Sequence, residues 1–247
     1  MIIEPPTDKI FIVINRCRQT ITDLNQSQIH EEIGYTFASG LRHILRQDPD
    51  VIMVGEVRDG ETAGLMVQAS LTGHVVLSTI HTNDTVGVIP RLIDMGVEKY
   101  LIAPSLNLVV AQRLTRRLCP ACKQPAKLNT AEQGLIEKAI NELPATARAN
   151  VPEVWQLFQP GAGCKECHGK QFKGRIAVME TLAMTSELEK IILTDISEER
   201  LRQEARRQGM VTMYQDGILK VLKGITTIQE ILQVAQDVND DETESKK

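Results

Sequence analysis

The stretch LRQDPDVIMVGEVRD, residues 45–59, decides the fold. Val51, Ile52, Met53 and Val54 run together without polar alternation, the pattern of a strand buried on both faces of a parallel sheet. Gly55 lets the backbone turn, and Glu56 then stands at the carboxyl end of the strand, the edge where open α/β sheets bind ligands. A carboxylate there can order or deprotonate a water, and Arg58 can neutralise phosphate charge. A core strand followed by a surface ion pair would read the same way, so this stretch alone leaves the function open.

A second signature follows. In GHVVLSTIHTND, residues 73–84, Val75, Val76, Leu77 and Ile80 predict another buried strand, with Ser78, Thr79, His81, Thr82 and Asn83 at its end. Asp59 is placed to cap the helix between the two strands, which carries Ala63, Met66, Val67 and Ser70 and stops at Gly73. Strand, helix and strand make a βαβ unit whose carboxyl ends share one edge. His74 and His81 bracket the second strand, so they cannot both touch one ligand atom. His81, at the carboxyl end, is the better placed to sense phosphate or orient water, whereas His74 divides between a structural and a coupling role.

Composition narrows the classes. At 247 residues, with 42% hydrophobic and 24% charged, the chain has the make-up of a soluble globular protein with a proper core. A net charge of −4 argues against a nucleic-acid partner, and Arg113, Arg116, Arg117 and Lys123 read as a solvated or interdomain basic face. Aromatic residues at 3% leave no base-stacking platform. No apolar run approaches the ~20 residues that span a bilayer, and no charged-then-apolar leader opens the chain. A cytoplasmic location is expected, with any membrane role passing through a partner.

Elsewhere Lys9 to Ile14 is strand-like and residues 15–28 are polar and turn-rich. Thr36 can cap a helix with apolar positions Phe37, Leu41, Ile44 and Leu45. Asp84 is expected to start a helix through Met95, kinked or delayed by Pro90. A short helix and then a strand from about Leu108 follow. Cys119-Pro-Ala-Cys122 and Cys164-Lys-Glu-Cys167 place four thiolates on two tight turns, a pattern for tetrahedral zinc. The rival, a redox dithiol, wants a single CxxC opening a helix. Four sulfurs close the coordination shell, so this zinc would be structural, and Cys17 is left as a bystander. A strand at Gly174 to Thr181 and helices near 186–193, 197–208, 213–222 and 227–236 complete the chain, before a polar, acidic tail expected to be disordered.

Taken together, LRQDPDVIMVGEVRD and GHVVLSTIHTN, with AQRLTRRLCPAC and KGRIAVMETL downstream, resemble the secretion ATPases that drive type II secretion and type IV pilus assembly, over nearly the whole chain from about Leu24. The resemblance implies an α/β fold: a partial RecA-like parallel sheet with flanking helices (1–117), a four-cysteine zinc module (118–172) and a C-terminal helical subdomain (173–237), with 238–247 as the tail. It implies that Glu56 is a Walker B acid acting on the attacking water. Arg58 and His81 would support it, with His81 near the γ-phosphate, and Asp59, Thr79 and His74 would help to bind nucleotide. ATP, Mg²⁺ and Zn²⁺ are the implied cofactors. A homo-hexamer and an inner-membrane platform protein are the implied partners, at the cytoplasmic face of the inner membrane.

The chain also departs from that pattern. No GxxxxGK[ST] occurs in it; the nearest string, Gly169-Lys170-Gln171, lacks the upstream glycine spacing and the hydroxyl. Glu4-Pro5-Pro6 stands where relatives carry an acidic Glu-Asp-Pro box, and the segment after it is about ten residues longer than the family pattern. In this fold class the strand entering the phosphate cradle pairs beside Val51 to Val54, so that edge is expected to be open unless the extra N-terminal segment fills it. The chain thus reads as the part of a longer motor downstream of its P-loop, with little ATP hydrolysis of its own. A non-catalytic zinc-containing adaptor is the alternative, and a nucleic-acid motor a more distant one.

Overall fold

The computed structural model describes residues 10–14 and 24–235. Glu4-Pro5-Pro6, Cys17 and the acidic tail lie outside the described residues. In chain order the elements are β1 (Ile10–Ile14), β2 (Asn25–Gln28), α1 (Phe37–Ile44), β3 (Val51–Val57), α2 (Gly60–Leu71), β4 (Val75–Ile80), α3 (Val88–Asp94), α4 (Lys99–Ser105) and β5 (Leu108–Leu118). They continue with β6 (Gln124–Pro125), α5 (Thr130–Asn141), α6 (Ala145–Arg148), β7 (Phe158–Gln159), β8 (Phe172–Ala183), α7 (Ser186–Thr194), α8 (Glu198–Arg207), α9 (Met213–Leu222) and α10 (Ile228–Ala235). Two compact units interleave along the chain, and their limits differ from the sequence boundaries at 117/118 and 172/173. The first runs to Thr82 and adds Gly87–Asn107 and Met184–Ile196; the second contains Asn83–Val86, Leu108–Ala183 and the chain from Ser197.

The first unit is built on a parallel sheet in the order β2-β1-β3-β4. Parallel neighbours need crossovers; α2 is the one joining β3 to β4, and α1 lies on the path from β2 to β3. Thr36 and Ser39 form a reciprocal capping box at the start of α1, and Asp59 accepts from the Thr62 N–H at 2.8 Å to start α2, as the sequence predicts. Phe37, Leu41 and Ile44 of α1 and Ala69 of α2 pack on Ile52 and Val54, which are fully buried. β1 pairs with β3 from Ile10↔Val51 to Val13↔Val54, so the edge expected to be open is closed by the chain's own N-terminal segment.

Two expectations fail here. β3 and β4 are not buried on both faces: Met53 is 37% exposed, Val75 55% and Leu77 54%. Their register, Val51↔Val75 and Met53↔Leu77, puts these residues in rows on the side opposite Ile52 and Val54. Asp84 does not start α3. The helix begins at Val88, which places Pro90 in the first turn, where a missing N–H costs nothing.

The second unit centres on a long antiparallel ribbon, β5 with β8, from Leu108↔Ala183 to Leu118↔Phe172. Alternate residues Val178, Glu180 and Leu182 of β8 point inward. Val178 joins Ile136 and Ala139 of α5, Met213, Ile218 and Leu222 of α9, and Ile228 and Ile231 of α10 in one apolar cluster. Gly224 ends α9 at φ +64°, and a Cβ there would lie 2.4 Å from the Phe158 ring.

Two glycines of α2 test the packing in opposite directions. A Cβ at Gly60 would sit 2.2 Å from the Met95 carbonyl oxygen, whereas one at Gly64 meets nothing within 4 Å. In thermal unfolding, Gly60→Ala is expected to destabilise the chain by about 1–3 kcal/mol through overpacking. Gly64→Ala is expected to stabilise it by about 0.5–1 kcal/mol, since alanine loses less backbone entropy in a helix.

Candidate active site and metal centre

At the carboxyl end of β3 the pairing with β4 falls out of step. Val54 pairs with Ser78 and Val57 with Ile80, three steps on β3 against two on β4. The extra residue is a β-bulge at Gly55–Glu56, and its effect is directional. In an unbroken strand Glu56 would share the helix-packed face with Val54. The bulge instead lets Val57 be buried while the Glu56 carboxylate reaches two polar partners.

Those partners are Arg58, whose guanidinium lies 2.6 Å from Oε1, and His81, whose Nε2 lies 3.1 Å from Oε2. Each carboxylate oxygen therefore has its own neighbour. The Glu56 side chain is 14% exposed, against 50% for Arg58 and 86% for His81. Hydrogen bonding from Arg58, with a smaller contribution from His81, holds the Glu56 carboxyl below its ordinary value against the opposing effect of burial. The same contact raises Arg58.

The structure thus brings Glu56, Arg58 and His81 together. The Asp59 carboxylate is engaged as the α2 cap, accepting from both the N–H and the hydroxyl of Thr62. Thr79 donates its hydroxyl to the Gly55 carbonyl at 2.6 Å. His74 lies at the opposite end of β4 from His81, with Nδ1 2.9 Å from the Ala69 carbonyl oxygen.

In the second unit the thiols of Cys119, Cys122, Cys164 and Cys167 all lie within 4.8 Å of one another. Three of the Sγ–Sγ separations are 3.7, 3.8 and 3.7 Å. These are far too long for disulfides. They match the edge of a sulfur tetrahedron with Zn–S bonds near 2.3 Å, about 3.8 Å. The donor set fits zinc and leaves no open position. Backbone N–H donation, first from Cys164, draws the Cys167 thiol down to about 6, while burial and the neighbouring thiols push Cys122 up to about 12. Gly161 lets the chain close the site, because a Cβ there would lie 1.8 Å from the Cys122 carbonyl oxygen.

With this geometry in place, similarity to known proteins is decisive. The family model for the type II/IV secretion system protein matches residues 2–233. The chain belongs to this family. It is 44% identical over 213 residues to the type IV pilus assembly ATPase PilB of Myxococcus xanthus, covering 85% of this chain and 35% of that one. It is 42% identical over 231 residues to the type II secretion system protein E of Pseudomonas aeruginosa, covering 94% and 43%. The chain therefore spans well under half the length of these relatives. The pilus retraction motor PilT, solved with ADP, shares the fold at a TM-score of 0.64 and 22% identity, covering 96% of this chain and 55% of that one. Among the described residues no helix is long and apolar enough to cross a membrane.

In this secretion-system protein, sequence reasoning missed two buried polar anchors, both in the second unit. Glu180, 3% exposed, accepts from the Thr85 N–H and hydroxyl at 2.9 and 3.0 Å and from the Met213 N–H at 3.1 Å. Asp84, expected as a helix cap, is buried and receives Arg202 at 2.8 Å. A lone acid on the inward register of AVMETL was the available signal for Glu180. The basic cluster is partly absorbed by neutral and acidic partners: Arg116 pairs through two nitrogens with Glu230 and lies 4.2 Å from the Phe172 ring centre. Lys123 donates to the Gly224 carbonyl at 2.8 Å.

Elemental analysis of the purified protein should find about one zinc per chain, and chelation should lower its melting temperature. Cys119→Ser and Cys164→Ser should each lower both. A full metal complement in the double variant would contradict the four-sulfur site.

Proposed function

We propose that these residues form the Walker B and His-box part of an ATP-hydrolysing motor that powers type II protein secretion or type IV pilus assembly. The observation that carries this reading is the Glu56 carboxylate, re-aimed by a bulge at the carboxyl rim of a parallel sheet and held between Arg58 and His81. A carboxylate kept ionised by a guanidinium is a good acceptor and a weak base. Its role is therefore to orient the attacking water. Phosphoryl transfer through a loose transition state makes little demand on base strength. Arg58 fixes the carboxylate and adds positive charge, and His81 completes the water's surroundings or senses the γ-phosphate. Asp59 and Thr79 support the rim through the contacts described above, whereas His74, at the far end of β4, serves a structural role on the Ala69 carbonyl.

The donor set fits the water side of a nucleotide site and not its phosphate side. A phosphate cradle needs a nest of backbone N–H groups, a lysine and a magnesium-binding hydroxyl, and the sequence has no such loop. The phosphate contacts then come from polypeptide beyond these residues. The open sheet face of Met53, Val75 and Leu77 is suited to pack against it, since parallel sheets are normally covered on both sides. The cysteine cluster holds a structural zinc. The working assembly is a homo-hexamer at the cytoplasmic face of the inner membrane, coupled to a platform protein there. The missing cradle also supports a second reading, a zinc-containing adaptor that docks on such a motor without catalysis.

A chimera separates the two. Residues 24–235 replace the matching segment of the Pseudomonas aeruginosa type II secretion system protein E, and ATP binding and hydrolysis are both measured. The motor reading expects hydrolysis that Glu56→Gln reduces by about 10²-fold or more with ATP binding retained. A folded chimera that binds ATP without hydrolysing it would favour the adaptor. The chain on its own should turn over little ATP.

A further inference from the structure

We propose that Thr79 is a positioning residue whose hydroxyl fixes the direction of the Glu56 carboxylate. Where β3 and β4 lose step, two β4 side chains reach across to main-chain oxygens of the bulge: Ser78 Oγ donates to the Val54 carbonyl at 2.9 Å and Thr79 Oγ1 to the Gly55 carbonyl at 2.6 Å. Carbonyls displaced from a ladder take another donor, and these hydroxyls provide it, in a half-buried contact at the Val54 carbonyl and a more exposed one at the Gly55 carbonyl. The two contacts are not equivalent. The Ser78 hydroxyl also lies 3.4 Å from the Thr79 carbonyl, whereas the Thr79 contact is at the short end of the O–H···O range and grips the peptide immediately before Glu56.

Position makes that grip matter. Gly55 has no Cβ to restrict its backbone, so its peptide has more freedom than any other in the strand. Rotation there would swing Glu56 away from Arg58 and His81. Thr79 stands two residues before His81 on β4, and its hydroxyl therefore ties the peptide that aims the carboxylate to the strand that presents the imidazole. Sites of this kind work only when the shell behind the reacting group is itself held.

The inference deepens the proposed role of Glu56, yet its test needs no nucleotide. In the intact chain, the Glu56 carboxyl is followed by carbon NMR through an acid titration, with Glu56→Gln identifying the resonance. The wild-type carboxyl should titrate below the ordinary 4.5, because Arg58 and His81 reach it. Thr79→Val should move the midpoint up toward that value, and Thr79→Ser, which keeps the hydroxyl, should restore it. Thr79→Ala serves in place of the valine variant if that protein does not fold. An unchanged midpoint on losing the hydroxyl, or an equal shift in the serine variant, would overturn the proposal. Failure here leaves the hydrolysis reading to its own assay, and a chimera that fails to hydrolyse ATP leaves this geometry standing.

Discussion

An extra residue in one strand of a parallel pair is the constraint from which the candidate site follows. β3 and β4 are joined through α2, and their side chains alternate in step up to Val54 and Ser78. Had the step continued, Glu56 would face the helices that bury Val54, and a charged carboxylate among Phe37, Leu41 and Ile44 would carry a heavy desolvation cost. The bulge removes that conflict. It returns Val57 to burial, turns Glu56 toward Arg58 and His81, and leaves the carboxyl rim as the place where charge is gathered. Arg58 follows Glu56 by two residues and His81 follows β4 directly, so the strand pairing alone supplies all three groups.

The second unit solves a different problem. Between Leu118 and Phe172 the chain makes a long excursion with little regular strand, and four cysteines tie its two ends together beside the β5–β8 ribbon. The thiol separations match a metal tetrahedron, so a cation bound there, as proposed, would hold the two ends of that excursion together. Glu180 is a directional anchor in the same unit. Its carboxylate gathers the Thr85 and Met213 N–H groups, fixing the start of α9 and the segment 83–86.

Much of this was legible in the sequence where local chemistry is self-sufficient. Thr36 and Asp59 cap the helices they were expected to cap, Gly224 ends α9, and the two CxxC pairs converge. The α/β architecture and the family followed from two motif strings in order. What escaped depended on tertiary context. An apolar run such as Val51 to Val54 says that both faces of a strand are apolar, not that both are covered, and here one row stays open. The polar string Asn25–Gln28 carries no strand signal, yet pairs with β1 because that neighbour offers a free edge. Asp84 resembles a cap in isolation, but it is buried and the half-buried guanidinium of Arg202 claims it. The bulge itself left only Gly55 as a trace, and a glycine before an acid is too common to announce one.

A crystal structure of the chain, at a resolution that places side-chain oxygens, tests the central claim most directly. The account predicts a register skip between Val54 and Val57, with the two Glu56 oxygens in hydrogen-bond reach of Arg58 and His81 at the carboxyl rim. A regular β3 with Glu56 turned to the Val54 face, out of reach of His81, would contradict it.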